Sequence, residues 1–146
     1  MYKIVKYENK YKEEVINFLI KIAVDEFKHY NWIDYLKNKD FSPYLLDDSK
    51  FLIAIKDNEI IGTIGGLKVN NKIIKLNSFY VKDKYRHQGI GKKLYRLLLC
   101  FCKEKQYETI ILCTYDEYDI AKKIYDKENF ILYKEDGNER WMKKEI

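Results

Sequence analysis

The sequence predicts an α+β fold, a mixed sheet with helices on its faces, and three observations lead there. Residues 51–82 hold three β-rich runs separated by "KDNE" and "VNNK", whose Asn and Asp suit tight turns. Amphipathic helical stripes stand before and after this block. A short apolar strand, one more helix and two β-rich runs around "DGN" complete the chain.

The elements follow in order. Tyr2 to Tyr7 reads as a short first strand. "KYKEEVINFLIKIAVDEF" sets Val15, Phe18, Leu19 and Ile22 at helical spacing. A second helical piece around "NWIDYLKNK" leads into an irregular stretch at Ser42-Pro43, the single proline. Strands near 51–56, 60–69 and 73–82 form an antiparallel meander, and Gly65-Gly66 within it predicts a bulge or a close backbone approach. From Gly89 a helix gathers Ile90, Leu94, Leu97, Leu98 and Phe101 on one face, with Lys92, Lys93, Arg96 and Lys103 mostly elsewhere. "ETIILCT" is the apolar strand. The next helix, about 117–128, turns Ile120, Ala121, Ile124 and Tyr125 inward, and Asn129 can close it in the left-handed conformation. "FILYKE" and "ERWMKKE" then pair across "DGN". The order is β-α-α-β-β-β-α-β-α-β-β: a central, mostly antiparallel, twisted sheet of about six or seven strands, flanked by about four helices.

A chain of 146 residues is expected to be one domain, 1–146, able to bury roughly 70% of its extended surface. A hydrophobic share of 47% argues against disorder. The 14 tyrosines suit half-buried clefts, where a ring packs and a hydroxyl reaches a ligand. Twenty-eight basic and 23 acidic residues are interleaved, so the net +5 favours a local patch for an anionic ligand over a nucleic-acid surface. Cys100, Cys102 and Cys113 make no C-x-x-C pair and read as reduced, partly buried thiols, with no metal site expected. No apolar run approaches a membrane span. A cytoplasmic protein with no membrane partner is expected, as monomer or homodimer.

The stretch "YVKDKYRHQGIGKKLY" leaves a strand through glycine and enters a helix. Unpaired N–H groups and the positive end of the helix dipole make such a turn an anion site, with Arg86, Lys92 and Lys93 adding charge. The glycines alone leave an easy strand–helix turn at even odds. The segment lacks the G-x-x-x-x-G-K-[ST] of a P-loop, and Leu94 breaks a dinucleotide G-x-G-x-x-G.

R-x-x-G-x-G, at Arg86, Gly89 and Gly91, resembles the pyrophosphate segment of the GNAT superfamily of N-acetyltransferases, which bind acetyl-CoA. "AKKIYDKENF" is similar to that superfamily's A-x-x-x-Y-x-x-x-G-F segment, with Ala121, Tyr125 and Phe130 in register. "IIGTIGG" resembles its usual third-strand phrase. The likeness is strong from about Phe51 to Phe130. It implies that the strands ending at Val81 and near Thr114 splay to admit the pantetheine arm. Backbone of Phe79, Tyr80 and Val81 would bind that arm, and N–H groups from His87, Gln88, Gly89, Ile90, Gly91 and Lys92 would hold the pyrophosphate. Tyr118 and Ala121 would touch the cofactor, although Tyr118 stands where relatives often have Asn. Asn129 replaces the usual Gly.

The resemblance further implies direct attack of a primary amine on the acetyl carbonyl in a ternary complex. Tyr125 would serve as general acid toward the CoA thiolate. The base stays open, because the strand before the phosphate loop offers Asn77 and Ser78 in place of a carboxylate. Asp25, Glu26, His29, Tyr30, Asn77 and Thr114 are the substrate-side candidates, and Phe27, Trp32, Tyr35 and Tyr44 could line an acceptor slot. The acceptor is a small-molecule amine, amino-acid-like or otherwise, or a peptide amine. A catalytically weak or inactive CoA-binding regulatory module is the competing reading.

Overall fold

A computed structural model describes residues 1–115 and 119–146. Seven strands in these residues form one sheet: β1 (Lys3–Lys6), β2 (Lys50–Lys56), β3 (Glu59–Lys68), β4 (Ile73–Val81), β5 (Thr109–Tyr115), β6 (Ile131–Asp136) and β7 (Glu139–Glu145). Their spatial order is β1-β2-β3-β4-β5-β7-β6. All neighbours run antiparallel except β4 and β5, so the expected mixed, mostly antiparallel sheet is the one that forms. The helices are α1 (Lys12–Asp25), α2 (Ile33–Lys37), α3 (Ile90–Glu104) and α4 (Asp119–Lys127).

The turns behave as their residues dictate. Asp57 and Asn58 both take positive φ, 52° and 61°, the pairing that a two-residue hairpin needs. Asn70 Oδ1 accepts from the N–H groups of Lys72 and Ile73, each at 2.9 Å, closing the next turn locally. Asn129, at φ 69°, ends α4 as expected, and Phe130 N–H donates to Tyr125 O at 2.9 Å.

The sheet separates two cores. On one face α3 packs Ile90, Leu94, Leu98 and Phe101 against Ile64, Ile74 and Leu112. On the other, Val15, Leu19 and Ala23 of α1 cover Phe51 and Ile53, with Tyr7, Phe41 and Tyr44 beside them. Leu94 is completely buried, so Leu94→Ala would cost about 2–5 kcal/mol through lost transfer energy and the remaining cavity. Two positions depart from the expected stripes. Leu97 and Ile124 are each 40% exposed, because each lies at the margin of its helix's apolar arc, while Tyr95 and Cys102 are buried. Cys100 is exposed, Cys113 is half-buried, and all three thiols are free.

Gly65 and Gly66 do stand at an irregularity. The β3–β4 register slips between Thr63 and Gly65, so that Thr63 opposes Tyr80 but Gly65 opposes Asn77. Two steps along β3 match three along β4, which places the extra residue on β4. A Cβ at Gly65 would lie 2.5 Å from Asn77 Oδ1, and one at Gly66 would lie 2.8 Å from Leu98 Cδ1. A larger residue at either position would push these side chains aside. Among the described residues, no helix is long and apolar enough to cross a membrane.

Candidate active site

β4 and β5 pair only at Ile73 with Thr109, Ile74 with Ile110 and Lys75 with Ile111. Beyond Lys75 the two strands part. The opening is a cleft of about 970 Å³, lined by β4 from Leu76 to Val81, by Cys113 and Thr114 of β5, and by Ala121, Ile124 and Tyr125 of α4. That volume is at the upper end of the roughly 300–1,000 Å³ usual for ligand pockets. The β5-facing edge of β4 from Leu76 onward has no strand pairing, so its backbone groups are exposed to whatever enters.

The bulge shapes that edge. Ser78 takes φ 51°, uncommon for a residue with a Cβ, and fully buried Thr63 donates its hydroxyl to Ser78 O at 2.7 Å. Asn77 is fixed from the opposite side, with Tyr44 Oη donating to Asn77 Oδ1 at 2.8 Å. Burial pushes the Tyr44 phenol up to about 12, so it remains a donor at ordinary pH.

At the mouth, His87 and Gly89 adopt left-handed conformations, φ 63° and 85°, and Gly89 is the N-cap of α3. The first N–H groups of α3, on Ile90, Gly91 and Lys92, have no acceptor within the helix and lie beside the cleft. A Cβ at Gly89 would meet nothing within 4 Å, so the space in front of the cap is open. A groove along the outer face of α3 continues from Gly89 past Lys92, Lys93 and Arg96.

Arg86 lines the cleft, yet its guanidinium is committed elsewhere. It pairs with Glu26, donates from Nε to Val81 O at 2.9 Å and stands 3.5 Å from an Asp83 carboxylate oxygen. The side chain fixes the loop against the end of α1 and does not project as a loose phosphate-seeking charge.

Tyr125 is 6% exposed, edge-on to Phe130 at 5.5 Å and tilted toward Phe79 at 6.5 Å. Burial raises its phenol pKa strongly, and the neighbouring Tyr80 and Tyr95 add to the shift. It therefore stays protonated and can donate. Cys113 is no ready nucleophile, since burial and then the Glu139 carboxylate raise its thiol.

Of the sequence-based candidates, Phe79, Tyr80, Val81, Arg86, His87, Gly89, Ile90, Gly91, Lys92, Ala121, Tyr125, Glu26, Phe27, Asn77 and Thr114 border the cleft. Thr114 is buried with no hydrogen-bond partner for its hydroxyl and turns toward the α3 face. Gln88 is exposed and its amide reaches Lys84 O at 3.3 Å; it is not a lining residue. Asp25 is exposed, and Tyr30 and Tyr35 are 59% and 64% exposed, so none of the three faces the cleft. His29 stacks on Trp32 at 4.2 Å, and both lie within 6 Å of Tyr115, so these rings tie the α1–α2 segment to the end of β5. Tyr118 lies outside the described residues. Reasoning from sequence missed Tyr95, Arg96, Cys113, Lys127 and Glu128, all of which line the cleft, as does Ser78, which it placed on this edge without a role. Arg96 could have been found as the i+4 neighbour of Lys92; Ser78 carries no local signal.

A mixed sheet parted at its one parallel junction, with a glycine-capped helix at the opening, is the architecture of acetyltransferases. A crystal structure of an acetyltransferase of GNAT family from Staphylococcus aureus Mu50 superposes with a TM-score of 0.87 at 28% identity, over 99% of each chain. The PaiA N-acetyltransferase from Thermoplasma acidophilum, solved in complex with coenzyme A, shares the fold with a TM-score of 0.82 at 23% identity, covering 100% of this chain and 99% of that one. The chain belongs to the Acetyltransferase (GNAT) family, whose model matches residues 13–130. Rat N-acetyltransferase 8 is 35% identical over 77 residues, which is 49% of this chain and 35% of the relative. The human N-acetyltransferase 8 match is 32% over 71 residues, 45% of this chain and 31% of that one. The matched segments thus span about a third of these mammalian relatives.

Proposed function

We propose that this domain transfers the acetyl group of acetyl-CoA to a primary amine by direct attack within a ternary complex. One observation carries the reading: the unpaired edge of β4, opposite buried Tyr125, across a cleft that ends at the cap of α3. Coenzyme A in the Thermoplasma neighbour supports the same ligand here. Backbone of Phe79, Tyr80 and Val81 would hold the pantetheine arm as an added strand holds a sheet edge. N–H groups at the α3 cap would take the pyrophosphate, with Lys92 and Arg96 as nearby cations. An N–H on β4 would face the thioester oxygen and stabilise the oxyanion as it forms. The neutral amine nitrogen then bonds to the acetyl carbon, the C–S bond breaks, and Tyr125 donates its hydroxyl proton to the departing thiolate. The proton lost by the acylated nitrogen passes to solvent, from which Tyr125 is reprotonated.

Tyr125→Phe tests the assignment. Turnover should fall on the order of 10²-fold, the usual scale for a lost acid, while acetyl-CoA affinity stays within about twofold. Unchanged turnover removes Tyr125 from the chemistry. A second reading, a CoA-binding module without catalysis, draws on the absence of a carboxylate on the β4 edge and on the pairing of Glu26 with Arg86. Acetyl-CoA binding with no thiol release on any amine would favour that module.

A further inference from the structure

The sheet face opposite α3 carries a cationic group of its own beside the point where β4 and β5 part. Lys39, between α2 and Phe41, holds its ammonium 5.4 Å from the Phe41 ring centroid and 5.7 Å from that of Tyr44. Tyr44 is the residue that fixes Asn77, a lining residue of the cleft. Lys75 lies on β4 two positions before Asn77 and so on the same face, about 7 Å away along the strand. Its ammonium reaches across β5 to stand 4.9 Å over the Trp141 ring. Trp141 is the cross-strand neighbour of Cys113, which also lines the cleft, and Lys134 approaches the same indole at 5.9 Å.

Among the described residues neither Lys39 nor Lys75 has an ion-pair partner. Asp40, next in sequence to Lys39, gives its carboxylate to the Ser42 N–H and hydroxyl, each at 2.9 Å. Glu139 spends its carboxylate beside the Cys113 thiol. Burial, and then the charge of Lys75, lower the Lys39 ammonium to about 8. The two ammonium groups rest on aromatic rings and repel each other, and an anion held near them would relieve that repulsion.

We propose that Lys39 and Lys75 bind a carboxylate on the acceptor, so that the substrate is an amino acid or another short amine that carries one. This rests on the acetyltransferase reading of the cleft and assigns its acceptor class. The carboxylate lies between the two ammonium groups, over the Trp141 and Tyr44 rings, and the amine extends past Asn77 into the opening between β4 and β5.

Matched acceptors test it: glycine, β-alanine, 4-aminobutanoate and L-phenylalanine, each beside its amide, in a thiol-release assay with acetyl-CoA. For at least one pair, kcat/KM of the acid should exceed that of the amide roughly ten- to hundredfold, the worth of a charge-assisted contact. Lys39→Gln and Lys75→Gln should each bring that ratio to near one, and Lys75→Glu should invert it. Lys75 lies on a strand surface, so its variants report even where Lys39→Gln fails to fold. Amides turned over as well as acids, or a ratio unmoved by both Gln variants, overturns the carboxylate site and leaves the acetyltransferase reading standing. Thiol release from no acceptor, acid or amide, overturns the acetyltransferase reading and this site with it.

Discussion

Replacing Thr63 by Val probes the link between core and cleft. Thr63 is completely buried, and its hydroxyl donates at 2.7 Å to the carbonyl of Ser78, the left-handed residue in the β4 bulge. Val fills nearly the same volume, so no cavity opens, but the Ser78 carbonyl loses its donor at a part-buried position. An unsatisfied buried acceptor costs about 1–3 kcal/mol. For a chain of this length that is a fall in Tm of about 3–10 °C. The bulge also aims Phe79, Tyr80 and Val81 along the cleft, so acetyl-CoA affinity should weaken several-fold. Calorimetric melts of Thr63→Val and Thr63→Ser, followed by titration with acetyl-CoA, make the comparison. Ser keeps the hydroxyl and gives up one methyl, so it should retain affinity better than Val. A Thr63→Val protein that melts within about 1 °C of the wild type, or binds acetyl-CoA as well as Thr63→Ser does, refutes the reasoning.

Lys39→Met should stabilise the protein near neutral pH, by no more than about 3 kcal/mol for an ammonium lowered from 10.5 to about 8. Between those pH values the unfolded chain holds more protons than the folded one, so the wild type gains stability there and the gap to Lys39→Met should close in urea melts from pH 7 to 11. Gly89→Ala should cost about 1–2 kcal/mol, because φ 85° is strained for any residue with a Cβ even though the space ahead is open. Gly91→Ala should leave the melting temperature equal or higher, since its Cβ would make ordinary contacts of 3.5 Å with Val81 and 3.6 Å with Phe79. A loss of acetyl-CoA affinity in Gly91→Ala without loss of stability would mean that the ligand itself occupies the space beside that Cα.

What sequence carried well was chemistry contained in a few neighbouring residues. Asn129 closes α4, Asp57-Asn58 and Asn70 make their turns, and the strand bounds from Phe51 to Glu145 hold to within about two residues, the ordinary uncertainty of such ends. Gly89 caps a helix because only a residue without Cβ takes φ 85° cheaply. Each feature is set by local backbone preference, which a single sequence displays directly. The stripes failed only at their margins, Leu97 and Ile124, where burial depends on what lies opposite and not on helical period.

Contacts across distant parts of the chain were not legible, and they decide the site's character. Arg86 belongs to the very motif that reads as anion-binding, yet Glu26, 60 positions earlier, draws its guanidinium to the end of α1. From sequence, both residues look like free charges near a ligand; paired, they hold the phosphate loop and the α1–α2 segment in one arrangement. The extra residue of the bulge is equally hidden, since Ser78 has no intrinsic reason for positive φ and is held there by Thr63 from the neighbouring strand. Lys39 and Lys75 show the same limit from the other direction. They lie 36 positions apart, in segments that read as a helix end and a strand, and only the packing of Tyr44 against Lys39 and Asn77 relates the first to the strand that carries the second. The side of the cleft proposed for the cofactor could be read because backbone at a glycine-capped helix start is a general anion site. The side proposed for the acceptor draws on side chains from distant segments, among them Glu26, Asn77 and Cys113, so its chemistry exists only once they are assembled.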